Sequence, residues 1–431
     1  MNRVMKDSGI EWIGNIPQEW EIIKNKYVFK RRNNKVAENY INYQLLSLTK
    51  KGIVEKNLNE TGGKLPASFS TYQEVQKDDI VLCLFDLDVS AVFSGISKYH
   101  GMISSAYDIF KTNQDSIPDY YDYLFQIIGF DRLYLPFSKS LRKTINKENF
   151  NSIYTIKPPY NEQIKIVDFL NKSTMNINNI ITQTHQSIEE LKKYKQSLIA
   201  ESVTKGLDST VEMKDSGIEP MVNVPKHWKI NKIKYLFELY RGLNITKKNL
   251  IDTGIPVINY GEIHSKYGFH FDLRYDVVQK VDSYYLEYKN SLINQGDFIF
   301  ADTSEDIEGS GNFTCYLNEE MCFAGSHTII LNPKKFINYF YFSYLFESLL
   351  FRSQIQKKVE GIKVYSITQR ILKSLILFEP PAEEQEQIVQ YLDNKISTID
   401  RLIEDKTKVI EELENYKKSL IYEYVTGKKE V

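Results

Sequence analysis

The heptapeptide Met5-Lys-Asp-Ser-Gly-Ile-Glu11 returns unchanged as Met213-Lys-Asp-Ser-Gly-Ile-Glu219, and the register holds through Pro17/Pro225, Trp20/Trp228, Lys26/Lys234, Tyr27/Tyr235 and Phe29/Phe237. A repeat of this length restricts the chain to a fold that one frame can build twice. A second pair starts at Pro158-Pro159 and Pro380-Pro381 and passes through Glu162-Gln163 and Glu384-Gln385. It closes with Tyr194-Lys195 against Tyr416-Lys417 and Val203-Thr204 against Val425-Thr426. The offset is 208 in the first block and 222 in the second, so the stretch between them is 14 residues longer in the second half. Those stretches, about 30–157 and 238–379, show little resemblance to each other. The plan is a pseudo-two-fold repeat of frame, variable module and helix, with modules at 1–157 and 207–379 and helices at 158–206 and 380–431.

Each proline pair halts what precedes it, and the acidic residues behind it favour a helix N-terminus through the helix dipole. From there the apolar residues fall on heptads. In the first helix the a and d positions hold Val167, Leu170, Thr174, Ile177, Ile181, Thr184, Ile188, Leu191, Lys195 and Leu198. In the second they hold Val389, Leu392, Ile396, Ile399, Ile403, Lys406, Ile410, Leu413, Lys417 and Leu420. Polar residues interrupt both seams in the same two layers, Thr184 with Lys406 and Lys195 with Lys417. About 42 residues per helix at about 1.5 Å each predicts rods roughly 63 Å long, and one such rod cannot bury its apolar stripe alone. The matching heptads favour mutual pairing over separate packing of each helix on its own domain.

The variable segments read as mixed α/β. Short β-rich runs such as Asp79-Ile-Val-Leu-Cys-Leu-Phe85 and Asp297-Phe-Ile-Phe-Ala301 lie among Gly, Asn and Asp turn signals, and 120–128 and 339–351 carry helical patterns. With 42% hydrophobic residues among 431, the chain has material for substantial cores, and its length predicts two to four domains. No charged-then-apolar leader and no apolar run of membrane-spanning length is present, so the expectation is a cytoplasmic protein without a membrane span. Cys83, Cys315 and Cys322 lack CxxC spacing and read as buried thiols rather than a disulfide framework or zinc ribbon. The 30 tyrosines suit base stacking, but they suit ordinary half-buried strands better.

Catalytic motifs fail one by one. A phosphate loop needs GxxxxGK[ST], and neither Gly62-Gly63-Lys64 nor Gly427-Lys428 has the upstream glycine or the following hydroxyl. Lys157-Pro-Pro-Tyr160 resembles the amine-gripping motif of amino-methyltransferases, but lysine only donates and cannot accept from the target amine. Pro118-Asp119 has no nearby acidic-x-Lys element, because the next one, Glu190-x-Lys192, lies inside the heptad helix. His264 and His270 match no zinc-helix spacing, so no metal site is assigned.

A formal net charge of −1 excludes a protein that coats nucleic acid everywhere, so any DNA surface must be local. Residues 30–157 hold 17 Lys/Arg against 14 Asp/Glu, clustered at Lys30, Arg31, Arg32 and Lys35 and at Lys139, Arg142, Lys143 and Lys147. The second module carries Arg241, Lys247 and Lys248 and then Lys357, Lys358 and Lys363 at the corresponding edges. Such residues contact phosphates, or guanine edges in the case of arginine. A solvated charged face is the alternative for any one of them. Residues 380–426, with 11 acidic against 6 basic residues, point to a rod facing protein or solvent.

Taken together, the Asp-Ser-Gly-Ile-Glu-Trp-Ile-Gly-x-Ile-Pro-x-x-Trp opening at 7–20, its return at 215–228, the Pro-Pro-x-x-Glu-Gln-x-x-Ile helix starts and the Tyr-Lys-x-Ser-Leu-Ile runs at 194–199 and 416–421 closely resemble the specificity subunits of type I restriction-modification enzymes. The second opening departs from the pattern, Trp12-Ile13-Gly14 becoming Pro220-Met221-Val222. The resemblance implies two target-recognition domains joined by two long antiparallel coiled-coil helices, each domain reading one half of a split, asymmetric site in double-stranded DNA. It implies two modification subunits that use S-adenosylmethionine to methylate adenine N6, and ATP- and Mg-dependent restriction subunits that join them. No cofactor is expected on this chain, which is itself non-catalytic. A divergent methyltransferase and a coiled-coil scaffold without sequence specificity are the rival readings.

Overall fold

The computed structural model describes residues 3–57, 68–90, 92–138, 141–218, 222–359 and 364–431. Its longest elements are the helices Tyr160–Lys205 and Ala382–Val425, of 46 and 44 residues. The chain divides into two compact units, Met1–His185 with Thr407–Val431, and Gln186–Lys406. Each unit therefore takes the start of one long helix and the end of the other, where the sequence plan drew each helix as a segment of its own.

The repeated frame folds the same way in both units. Met5–Asp7 pairs antiparallel with Asn15–Pro17, and Met213–Asp215 pairs with Asn223–Pro225 in the same register. Asp7 and Asp215 each accept the N–H two residues on, from Gly9 and Gly217 at 2.9 Å, and those glycines hold positive φ that other residues adopt only under strain. Pro220 and Met221 lie outside the described residues, but the carbonyl of Val222 accepts Ser216 N–H at 2.9 Å as Gly14 accepts Ser8 at 3.0 Å. Each hairpin leads into a two-stranded ladder, Glu21–Lys24 with Tyr154–Lys157 and Lys229–Lys232 with Ile376–Glu379.

The helix-start and helix-end motifs converge on the frame tryptophans. Trp20 and Trp228 are fully buried, so their indole N–H groups require internal acceptors. Glu162 supplies one at 2.9 Å and Glu384 the other at 2.7 Å. The adjacent Gln163 and Gln385 donate to the carbonyls of Pro158 and Pro380 at 2.8 Å, tying down the chain where proline has removed donors. At the far ends Gly206 and Gly427 take left-handed φ of 74° and 70° and stop the helices. A Cβ on Gly206 would come within 3.2 Å of Trp228, and one on Gly427 within 3.0 Å of Trp20. Each tryptophan thus lies between the first turn of one long helix and the last turn of the other.

The dissimilar variable segments build the same main sheet. In the first unit its order is Phe29–Arg32, Asp108–Thr112, Ile80–Leu82, Ser94–Ile96, all antiparallel. In the second it is Phe237–Arg241, Thr328–Pro333, Phe298–Ala301, Phe313–Tyr316, with His270–Phe271 added in parallel. A helix covers each sheet, Pro118–Phe130 with Phe125 against Phe29 at 5.2 Å, and Tyr339–Glu347 with Phe346 against Phe237 at 6.0 Å. The helical pattern at 339–351 is broken where Ser348 leaves helical geometry and caps a second helix, Leu349–Gln356, by accepting Phe351 N–H. Smaller β-elements flank these cores, a four-stranded sheet in the second unit and two hairpin-like pairs in the first.

The long helices pack together, and every a and d position named above is buried or half-buried. Within the first unit Phe169 meets Tyr424 with ring centroids 4.4 Å apart, and Lys417 donates to Asn178 at 3.0 Å, so the helix segments there run antiparallel. Within the second unit Lys195 binds both carboxylate oxygens of Asp400, at 2.7 and 2.8 Å. Asn178 and Asp400 are repeat equivalents, as are Lys195 and Lys417. One polar interaction is therefore made twice, by Lys195 and by Lys417.

Candidate nucleic-acid interface

In the first unit the run Lys30-Arg31-Arg32 lies on the edge strand of the main sheet. Strand alternation and the sheet's carboxylates give the three cations different environments. Arg32 is half-buried and closes on Asp79, Nε to Oδ2 at 2.9 Å and Nη2 to Oδ1 at 3.0 Å, while Asp79 is 1% exposed. Arg31 pairs with Asp108 on the neighbouring strand. Lys30 and Lys35 are exposed.

The second basic cluster sits on the loop that precedes the helix Lys147–Ser152. Arg142 is exposed and makes a bidentate pair with Asp86 at 3.3 and 3.1 Å, and its carbonyl accepts Asp86 N–H at 2.9 Å. Lys143 and Lys147 are exposed, and Lys143 holds a φ of 44°. Lys139 lies outside the described residues.

In the second unit Arg241 ends the edge strand Phe237–Arg241 and is exposed. Lys247 and Lys248 are exposed on a short turn that Thr246 and Asn249 close with a reciprocal capping box. Lys357 is exposed, Lys358 donates to Ser374 at 2.8 Å, and Lys363 lies outside the described residues. The structure thus puts cations of both modules at the edge strand of the main sheet and beside the short segments that return to the long helices.

Other sequence candidates take structural roles or lie outside the described residues. His264 accepts from Asn312 at 2.9 Å through Nδ1, which leaves Nε2–H to donate to Thr303 carbonyl at 2.7 Å, so both ring nitrogens are committed. Among the described residues no group of three or more His, Cys, Asp or Glu is placed to hold a metal ion. The three cysteines are buried and free, and burial pushes all three thiols up. Lys157 pairs with Asp115, and the proline pair behind it joins a strand to a helix. Gly62-Gly63-Lys64 lies outside the described residues. Sequence reasoning assigned Glu162 and Glu384 to the helix dipole and missed their larger task of accepting the buried indole N–H groups. Their recurrence beside two recurring tryptophans was the available signal.

Comparison with known proteins bears on the whole arrangement. Residues 225–413 match the family model described as the type I restriction modification DNA specificity domain. The MjaVIII specificity subunit of a type I restriction enzyme from Methanocaldococcus jannaschii is 23% identical over 429 residues, covering 96% of this chain and 93% of the relative. The chain is similar, over nearly its whole length, to type I restriction-modification specificity subunits. A putative MjaX specificity subunit from the same organism is 24% identical, with 96% and 95% of the two chains covered. Two solved chains share the fold. One, from a study of complex assembly and conformational transition of the type I system, has a TM-score of 0.72 at 13% identity and covers 95% of this chain and 98% of its own. The other, the HsdS subunit of Thermoanaerobacter tengcongensis, has a TM-score of 0.53 at 14% identity, with 96% and 98% covered. The two relatives match through both repeats, frame and variable modules alike, whereas the family model covers the second repeat.

Proposed function

We propose that the chain is the DNA-reading, non-catalytic subunit of a type I restriction-modification complex acting in the cytoplasm, with each unit a target-recognition domain for one half of a bipartite, asymmetric sequence. The observation that carries this is the pairing of one frame and one main sheet with unlike residues on the two modules. Reading two different half-sites from a pseudo-symmetric body requires that combination, because base identity is set by side chains while approach to the duplex is set by the scaffold. Among the exposed members of the DNA set, Lys30, Lys35, Lys143, Lys147, Arg241, Lys247 and Lys248 are assigned to the duplex.

The paired long helices are assigned to two modification subunits. In support, Glu190, Tyr194 and Ser197 form an exposed stripe at helical spacing, and Glu412, Tyr416 and Ser419 repeat it, with the tyrosines 53% and 58% exposed. Identical exposed stripes suit one partner bound twice. S-adenosylmethionine is assigned to those partners, and ATP and Mg to the restriction subunits. Mapping methylated adenines in cells carrying the complete system tests the reading. A bipartite motif that disappears when this gene is deleted is expected, and methylation unaffected by the deletion would refute it.

A further inference from the structure

The internal repeat separates two kinds of kept residue. A residue identical in both halves and buried is accounted for by packing. One identical in both halves yet exposed, with no capping or packing task, marks chemistry that both units present outward. Lys26-Tyr27 and Lys234-Tyr235 are of the second kind, with the tyrosines 59% and 62% exposed. In both units the ammonium lies 4.8 Å from the ring centroid of its neighbour, on a short turn, Asn25–Tyr27 or Ile233–Leu236, that leads directly into the edge strand of the main sheet.

The surroundings are cationic. Lys24 and Lys232 precede the turns at equivalent positions, and Lys24 lies 5.4 Å from the ring of the exposed Tyr154. The helix Lys147–Ser152, with exposed Lys147, packs on the first turn. The helix Gln369–Lys373, with exposed Arg370 and Lys373, packs on the second. Among the described residues, Lys24, Lys26, Lys232 and Lys234 make no ion pair with a carboxylate, unlike Arg31, Arg32 and Arg142.

We propose that these two turns are phosphate clamps, one in each unit, which grip the DNA backbone without regard to sequence. The proposal rests on the DNA-reading function above and adds a division of labour to it. Base readers must differ between the units because the half-sites differ, whereas phosphates are alike everywhere, so residues identical in both units suit the backbone. Lysine ammonium and tyrosine hydroxyl are both phosphate donors, and the ring beneath each ammonium restrains an otherwise floppy side chain.

The test is the full chain carrying Lys26→Gln and Lys234→Gln, titrated by fluorescence anisotropy against several duplexes of about 40 base pairs and unrelated sequence, over a range of KCl. Removing one lysine–phosphate pair should lower the slope of log-affinity against log-salt by about one. The double variant should therefore lose about two in slope and on the order of tenfold in affinity, equally for every duplex. Lys26→Arg with Lys234→Arg should restore both. An unchanged slope in a variant of unaltered circular dichroism, while the parent chain shows salt-dependent binding, overturns the clamp and leaves the DNA-reading function standing. So does a loss confined to one duplex sequence, or a loss of methyltransferase assembly with duplex binding intact, which reassigns the turns to a protein partner. Failure of the parent chain to bind any duplex would defeat the proposed function itself, and the clamp with it.

Discussion

Arg32 lies in a run whose charge density is what a DNA surface needs, yet its guanidinium is spent on Asp79, 47 positions away. Asp79 in turn accepts Gln76 N–H at 2.8 Å and closes the turn that starts a central strand, so the pair holds the sheet together. Removing one partner of such a pair strands the other, and Arg32→Met should cost about 3 kcal/mol in urea unfolding while leaving the salt slope of DNA binding unchanged. Lys30→Gln should do the reverse. If Arg32→Met lowered the slope and spared stability, the assignment would be wrong. Charge is written in the sequence, but a counter-ion that far along the chain is not, which is why this cluster could be located and not divided. Asp297 closes the equivalent turn in the second unit, accepting Asn294 N–H and Asn332 Nδ2–H, both at 2.7 Å, and among the described residues no cation pairs with it. Burial pushes its carboxyl from the ordinary 3.8 up to about 6, against the opposing effect of those hydrogen bonds. Its folded value is the higher one, so the folded state holds the extra proton. Its contribution to stability is therefore full below about pH 4 and declines by about 3 kcal/mol as pH rises to about 6. Unfolding free energies of the parent and Asp297→Asn across that window should converge or cross accordingly. A constant difference would exclude the effect.

The long helices were the most legible elements, because a heptad pattern sustained past the proline pairs states both a helix and its need for a partner. Their ends were less so. The structure extends them to 46 and 44 residues, and the stop is a glycine packed under a tryptophan from the opposite end of the repeat, a tertiary fact. The short central strands Ile80–Leu82 and Phe298–Ala301 are buried throughout, so their period of two is lost and only β-rich composition and flanking turn residues mark them. The seam itself should show two scales of energy on one pair of helices. Leu392 is fully buried, and Leu392→Ala should cost about 2–5 kcal/mol through lost burial and the cavity left behind. Lys195 and Asp400 are 28% and 51% exposed, so Lys195→Ala should cost no more than about 1 kcal/mol. Chemical denaturation of the two variants decides the matter. Equal losses would mean that the lysine layer contributes as much as the apolar seam.

At the scale of the whole molecule the duplication was legible from a single heptapeptide, but the common sheet inside the dissimilar modules was not. Phe29 and Phe237 recur, whereas most strand residues around them do not, because a buried sheet position asks for bulk and apolarity and many side chains supply both. This tolerance is what makes a module exchangeable. The first module meets the frame through a small set of groups. Tyr120 donates to the Val425 carbonyl at 2.7 Å, Tyr123 to Asn171 at 2.8 Å, and Gln163 accepts Ile117 N–H at 2.8 Å. The second module makes parallel hydrogen bonds, Tyr341 to the Val203 carbonyl and Tyr344 to Asp393. Replacing residues 30–157 with the module of a relative that keeps tyrosines at the positions of Tyr120 and Tyr123 should therefore preserve the frame and the helix seam. Base-reading side chains of the other unit are untouched. Methylated adenines mapped in cells carrying the exchanged chain and intact modification subunits should then show one half of the bipartite motif replaced and the other retained. If both halves changed together, the units would not be independent readers. If neither changed, base recognition would have to lie outside the exchanged residues, and the first module would not be a reader at all.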